Sequence, residues 1–376
     1  MQTDIDRSPN LDTVGVRFSR RLRLLLVLWI ILVLSGLANC SGRAPAATPT
    51  APPHADELIF YNWADDMPQS ILDAFTAEYG IKVTYLTYES MKEAMTQLRA
   101  GRPCDVIALE HNTIPPLVVD GLLAEIDFRN VPNFKNIAND FRDLGFDPGN
   151  RHSVPYDYGT TGLVVRSDLV GPAVTRWADL WEPRFAGKIA TRAQSFELIG
   201  VALKASGYPL NSEDPQQLEA ALQRLRDLKP VIVDSETEKA IPTLLSGKAM
   251  ILVGWPKDAL EASQRNEAIT YILPAEGTLL WSDAFVIPAS SPHKSTAELF
   301  LNFLLRPEIG AQIVNENLYA TANRAAYPFV KPEILNNPII FPPADTIKKA
   351  DWYLPLSPAG EKLYADIWER FMTGRP

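Results

Sequence analysis

The sequence predicts an α/β fold, a parallel sheet flanked by helices, and two observations carry that prediction. Residues 57–110 alternate compact apolar runs with amphipathic ones, in the order strand, helix, strand, helix, strand. This is the rhythm of a parallel sheet with helices on both faces. The alternation returns after residue 195. At 376 residues, 46% of them hydrophobic and 22% charged, the chain is long enough for two domains or lobes.

The first strand is "ELIFYNW". "DMPQSILDAFTAEYG" follows as a helix, with Asp65 or Asp66 available as its cap and Pro68 in its first turn. Ile71, Leu72, Phe75 and Tyr79 fall on one face, and Gly80 ends it. "IKVTYLTY" is a second strand, "SMKEAMTQLRAG" a helix and "CDVIALE" a third strand. Sheets of this kind bind ligands at the carboxyl ends of their strands. Asn62-Trp63-Ala64-Asp65 stands at such an end, and "LLWSDAFVIP" pairs Trp281 with Asp283 in the same way far downstream. "SVPYDYGTTGLVVR" reads as extended chain. Helices are expected at 195–206 and 215–228, and strands near 229–234 and 249–254. One amphipathic helix is expected over "STAELFLNFLLRPEIGAQIVNEN".

The first forty residues read as an address. A basic start precedes an apolar run from Leu24 to about Leu34, too short for a comfortable membrane span, which needs about 20 apolar residues. It has the form of an export signal. "Leu37-Ala38-Asn39-Cys40" resembles a lipoprotein box, which makes Cys40 the expected lipid-bearing residue. Residues 41–56 are rich in Pro, Ala and Thr and read as a tether that buries no core.

Net charge is -9, although residues 1–39 carry five Arg against three Asp. An acidic body argues against nucleic acid as partner and suits a cationic ligand. Of the two cysteines only Cys104 belongs to the body, so no disulfide framework is expected. The four histidines are scattered without metal-binding spacing, and no metal or cofactor is expected. G-x-S-x-G and the phosphate-binding G-x-x-x-x-G-K-[ST] are both absent, and Cys104 reads as a small buried hydrophobe, so the chain reads as a non-enzyme.

The stretches "FYNWADDMPQSILDAFTAEYGIKVTYLTYES", "CDVIALE", "FDPGNRHSVPYDYGTTGLVV", "WADLWEPRFAGKI", "GWPKDA", "LLWSDAFVIPA", "LFLNFLLRPEI" and "LYATANRAA" run in order along the body. Together they resemble the periplasmic solute-binding proteins of ABC importers, and most closely the spermidine/putrescine-binding branch. The resemblance implies a two-lobe periplasmic-binding-protein fold of type II kind, each lobe a mixed sheet flanked by helices, with a ligand cleft between the lobes. Mapped here, lobe 1 takes 57–159 and 284–327, and lobe 2 takes 160–283 and 328–376. It also implies a polyamine ligand, a membrane permease as partner, a monomer, and a periplasmic location with the chain anchored through Cys40.

A linear polyamine has an ammonium at each end and methylenes between. Carboxylates must replace the water each ammonium loses, and aromatic faces suit both methylenes and cations. The resemblance assigns ligand-binding roles to Trp63, Asp65, Glu197, Trp255, Asp258, Trp281, Asp283 and Tyr319. Glu110, Asn112, Gln194 and Tyr353 are further candidates, at positions where the family often carries other residues. Bland readings stand beside these. Asp65 suits a helix cap, Glu197 and Asp258 suit first helical turns, and Trp63, Trp255 and Tyr319 suit an ordinary core. Asp283 fits the bland reading worst, because an unpaired carboxylate in an apolar strand costs several kcal/mol. Other solutes are rival ligands: ferric iron would call for tyrosines such as Tyr156 and Tyr158, and an amino acid for an Arg clamp. A polyamine sensor on the same fold is a further reading.

Overall fold

Three parallel strands open the body as the sequence leads one to expect. In the computed structural model these are β1 (Glu57–Trp63), β2 (Lys82–Tyr88) and β3 (Val106–Glu110). The structure describes residues 54–375 apart from 65, 172, 193–194, 230–231 and 235–238. Helices α1 (Gln69–Tyr79) and α2 (Met91–Arg99) join the strands. Gly80 closes α1 in the left-handed region, at φ 70°, where its amide caps Thr76. Asp66, one of the two residues suited to capping α1, does not do so. Pro68 holds the cap position without a side-chain bond, and Asp66 turns inward instead.

The remaining strands are β4 (Ser153–Arg166), β5 (Ile189–Thr191), β6 (Ile232–Asp234), β7 (Ile251–Gly254), β8 (Ile269–Ile272), β9 (Leu279–Val286), β10 (Ala320–Thr321) and β11 (Asp351–Trp352). The sheet order is β2-β1-β3-β9-β4-β7-β5-β6. The sheet is mixed, and not wholly parallel as the strand-helix alternation alone leads one to expect, because β9 runs antiparallel to both β3 and β4. β4 is buried along all fourteen residues. Its first part, Ser153–Thr161, pairs with β9; its last part, from Gly162, pairs with β7 and β8. One strand therefore carries the ladder from one half of the sheet to the other.

Each half has its own packing. On one side Phe60, Phe75, Phe300 and Phe303 meet edge to face, at centroid distances from 4.9 to 5.3 Å. On the other, α3 (Ser195–Ala205) and α4 (Pro215–Leu228) bury Leu203, Leu222 and Leu225 around Trp177. Asp214 caps α4 by accepting from the amides of Gln216 and Gln217. α5 (Pro256–Arg265) follows β7. Cys104 is buried, and burial pushes its thiol up to about 12, which fits a packing role.

The single helix expected over residues 295–317 is two. α6 (Lys294–Leu304) stops and α7 (Pro307–Asn317) begins after a break at Arg306, which is extended at ψ 141°. Pro307 explains this: it lacks an amide to donate and excludes the helical region for the residue before it. The last long helix is α8 (Pro358–Thr373).

Candidate functional site

The register of three adjacent strands aligns three acids. Asp283 of β9 lies opposite Glu110 of β3 on one side and opposite Asp157 of β4 on the other. Side chains directly opposite across a ladder share a face, and like charges so placed destabilise a sheet. Asp157 reaches its position through an irregularity in β4: the register shifts between Pro155 and Asp157, so Tyr156 is the extra residue. Such a bulge re-aims the side chains that follow it.

Burial makes this row costly. Asp157 and Asp283 are only 3% and 6% exposed. Burial is the largest influence on all three acids, and neighbouring carboxylates add to it. The Asp283 carboxyl is pushed up to about 7, and Glu110 and Asp157 well above the usual carboxylate range. The Trp63 indole donates to Asp283 Oδ2 at 2.7 Å and partly counters this. Asp157 Oδ1 and Asp283 Oδ1 have no hydrogen-bond partner among the described residues. A buried carboxylate oxygen without a donor costs free energy until a donor or a cation meets it.

Aromatic side chains wall the row. Trp281, two residues before Asp283 on β9, lies opposite Gly159 of β4. A Cβ at residue 159 would stand 2.3 Å from the indole, so only glycine lets the ring lie across β4. Tyr319 meets Trp281 edge to face, with centroids 5.3 Å apart. Trp63 packs against Tyr88 at 4.6 Å.

Glu197 enters from α3. It accepts from Thr161 Oγ1 at 2.7 Å and from Trp255 Nε1 at 3.0 Å. Its charge bears on Glu110 and on Tyr353, which ties this acid and Trp255 to the same site as Asp283. Tyr353 is buried, and its phenol is pushed well up by that burial and then by Glu197. Asn112 follows β3 on a short turn, with a buried side-chain oxygen that has no partner among the described residues.

Asp258 stands in the first turn of α5, as its bland reading has it. One oxygen accepts from Arg192 Nη1 at 2.6 Å and the other from the Trp255 amide at 2.8 Å. Its carboxylate caps α5 and pairs with Arg192. Arg192 also lies over the Trp255 ring, 5.1 Å from its centroid. An arginine thus stands at the site, although none of the positions mapped from sequence is one. Asp65, Gln194 and Cys40 lie outside the described residues.

Two acids went unmarked as ligand candidates in the sequence. Asp157 is one; its signal is an acid inside an extended apolar stretch, and its facing partner is visible only in the register. Asp66 is the other. It is 6% exposed and accepts from Asn62 Nδ2 at 2.9 Å. Burial raises its carboxyl, while Asn62 and then Lys257 lower it. Lys257 faces inward, its ammonium 5.9 Å from the Tyr319 ring centroid. Among the described residues no group of His, Cys, Asp and Glu is arranged to hold a metal ion.

A buried row of acids walled by indoles, set where one strand links two half-sheets, is equipment for holding a small solute. The chain belongs to the family of bacterial extracellular solute-binding proteins, whose model matches residues 70–342. It is 33% identical over 328 residues to the spermidine/putrescine-binding periplasmic protein of Escherichia coli K12, covering 86% of this chain and 94% of that one. It is 31% identical over 336 residues to a putrescine/agmatine-binding protein of Pseudomonas aeruginosa, covering 84% and 91%. Among solved structures, the spermidine/putrescine ABC transporter substrate-binding protein of Streptococcus pneumoniae superposes with a TM-score of 0.75. That match is at 30% identity and covers 86% of this chain and all of the other. The fold is therefore the two-lobe α/β fold of periplasmic binding proteins.

Proposed function

We propose that this protein is the extracytoplasmic capture component of a polyamine ABC importer, taking putrescine or spermidine from outside the cytoplasm. The observation that carries this reading is the row Glu110, Asp283, Asp157, three adjacent acids without a basic partner among the influences on them. An organic ammonium supplies what the row lacks: positive charge and several donors at once. Trp63 and Trp281 flank the row as walls for the methylenes, and Glu197 with Trp255 offers a second cation position. The names of the relatives point the same way.

Residues 57–159 and 284–327 act as one lobe, and residues 160–283 and 328–376 as the other. Apart, they leave the acids in water; a polycation that touches both halves binds the closed form far better than the open one. That differential affinity drives closure. The closed form then delivers its ligand to a membrane permease. No covalent step is required, and the protein works as a monomer without catalysis. Residues 1–39 direct export and Cys40 carries the lipid anchor. Among the described residues no helix is long and apolar enough to cross a membrane.

Isothermal titration of the purified protein with putrescine and spermidine tests the reading. Binding of at least one is expected, together with its collapse in Asp283→Ala by about 100-fold or more, the scale of removing one partner of a buried charge pair. A variant that binds as the wild type does removes the row from the function.

A further inference from the structure

We propose that His111 is a positioning residue for the ligand cleft, its imidazole fastening together, in the closed form, the three chain segments that carry Glu110, Asp283 and Tyr353. This inference rests on the two-lobe polyamine reading and deepens it.

His111 follows Glu110 at the end of β3 and opens the short turn that carries Asn112. It is 2% exposed. Its Nδ1 faces the Ser282 carbonyl at 2.9 Å and its Nε2 faces the Tyr353 carbonyl at 2.5 Å. Ser282 precedes Asp283 on β9, and Tyr353 directly follows β11. Phe146 and Trp352 pack against the ring, with centroids at 5.0 and 5.6 Å. One imidazole thus joins three segments of the site. It belongs to residues 57–159, while both carbonyls belong to the other lobe, so opening the cleft must break both contacts.

The chemistry of the joint suits one that opens. A neutral imidazole has one N–H and one lone pair, yet both of its partners here are acceptors. The neutral ring donates to one carbonyl and turns its lone pair toward the other. A second proton lets both nitrogens donate but places a charge in a buried site. Glu110 lies beside it on β3, Asp283 beside Ser282 on β9, Asp147 beside Phe146, and Asp351 with Tyr353 on the closing segment; the helix Ile114–Val119 has no ionisable group. Asp147 accepts from the His152 amide and the Ser153 hydroxyl, and Asp351 pairs with Lys204. Among the described residues no carboxylate bonds to the imidazole. Burial holds the ring below its ordinary value, and the Ser282 and Tyr353 carbonyls offset only part of that. The charged ring is therefore better placed in water, and protonation favours the open form.

The test follows the His111 imidazole by NMR through a pH titration, in the protein alone and with saturating putrescine or spermidine. Beside it run isothermal titrations of the wild type and His111→Gln at about pH 7.5 and about pH 5.5, on either side of the ordinary histidine range. Single replacements of His54, His152 and His293, the other three histidines, assign the ring even if His111→Gln fails to fold. Closure buries the ring, so bound amine should lower the pH at which it titrates, and by reciprocity its protonation should weaken binding. Glutamine keeps one donor and never charges, while the acids act alike in both proteins. The wild type should therefore lose about fivefold more affinity than His111→Gln between the two pH values. A ring that titrates at the same pH with and without amine, or equal losses in the two proteins, overturns the role of His111 and leaves the polyamine reading standing. A wild type that binds neither amine overturns both.

Discussion

Asp283 and Asp258 are both buried acids near an indole, yet the fold treats them in opposite ways. Asp258 is 1% exposed and has every need met, by Arg192 at 2.6 Å and by a backbone amide at 2.8 Å. Asp283 is 6% exposed, lies between two more acids, and has one indole donor and an oxygen without a partner among the described residues. Burial is common to both and so does not mark a binding group. What marks it is the partner set: an acid matched inside the chain holds the fold together, and an acid matched only by other acids awaits something from outside. The same sequence feature, a carboxylate near tryptophan, yields one of each.

Variants can break or sharpen that contrast. The largest effect is expected from neutralising the outer members of the row together. Glu110→Gln with Asp157→Asn should weaken polyamine binding by about 100-fold, the scale of losing buried charge complementarity. Relief of like-charge repulsion should raise the melting temperature of the unliganded protein at neutral pH. A double variant that binds normally and melts lower would reverse the assignment.

Asp258→Asn should do the converse. It leaves Arg192 without its counter-charge and weakens the α5 cap, which costs about 3 kcal/mol in chemical denaturation. Affinity at the row should stay within about threefold, measured by titration. If affinity falls together with stability, Asp258 belongs to the ligand after all.

Acidity offers a third distinction. The folded Asp283 carboxyl stands at about 7, against 3.8 ordinarily. Between those values the folded chain keeps a proton that the unfolded chain has released. The stability this confers is complete below the ordinary carboxylate range and is lost as pH rises through about 7. The unliganded protein should melt several degrees lower at pH 8 than at about pH 5, and Asp283→Asn should flatten that slope. A bound ammonium favours the ionised row, so polyamine binding should release protons near neutral pH and tighten as pH rises. Titrations in buffers of different ionisation enthalpy detect that release.

The smallest effect is expected at Trp255. Phenylalanine keeps an aromatic face but loses the 3.0 Å bond to Glu197, worth about 1 kcal/mol, or roughly fivefold in affinity. No change at all would place Glu197 outside the ligand's reach.

Much of the fold was legible because its signals are local. The strands of residues 57–110, the helix ended by Gly80 and the helix capped by Asp214 follow from period, cap and turn chemistry. Asp283 was legible too, because an acid inside "TLLWSDAFVIP" has no local excuse. The failures share one cause, which is that the deciding partner lies far away in sequence. Asp157 needs the Tyr156 bulge and the pairing with β9 before it faces Asp283. Asp66 sits where a cap belongs, and only tertiary packing turns it toward Asn62. Arg192 stands in "ATRAQS", where nothing nearby announces that it will claim Asp258. The break at Pro307 is different: the proline was visible, and the unbroken apolar stripe outvoted it.

The place of β9 bears on how the chain comes to be folded at all. Residues 279–286 fill the slot between strands ending at residue 110 and beginning at residue 153. Until that late segment emerges, two earlier strands carry unpaired edges toward a gap only it can close. Such long-range pairing is slow and leaves edges open to aggregation. Folding should therefore wait for nearly the whole polypeptide, which is the schedule that suits a chain threaded through a translocation channel in extended form.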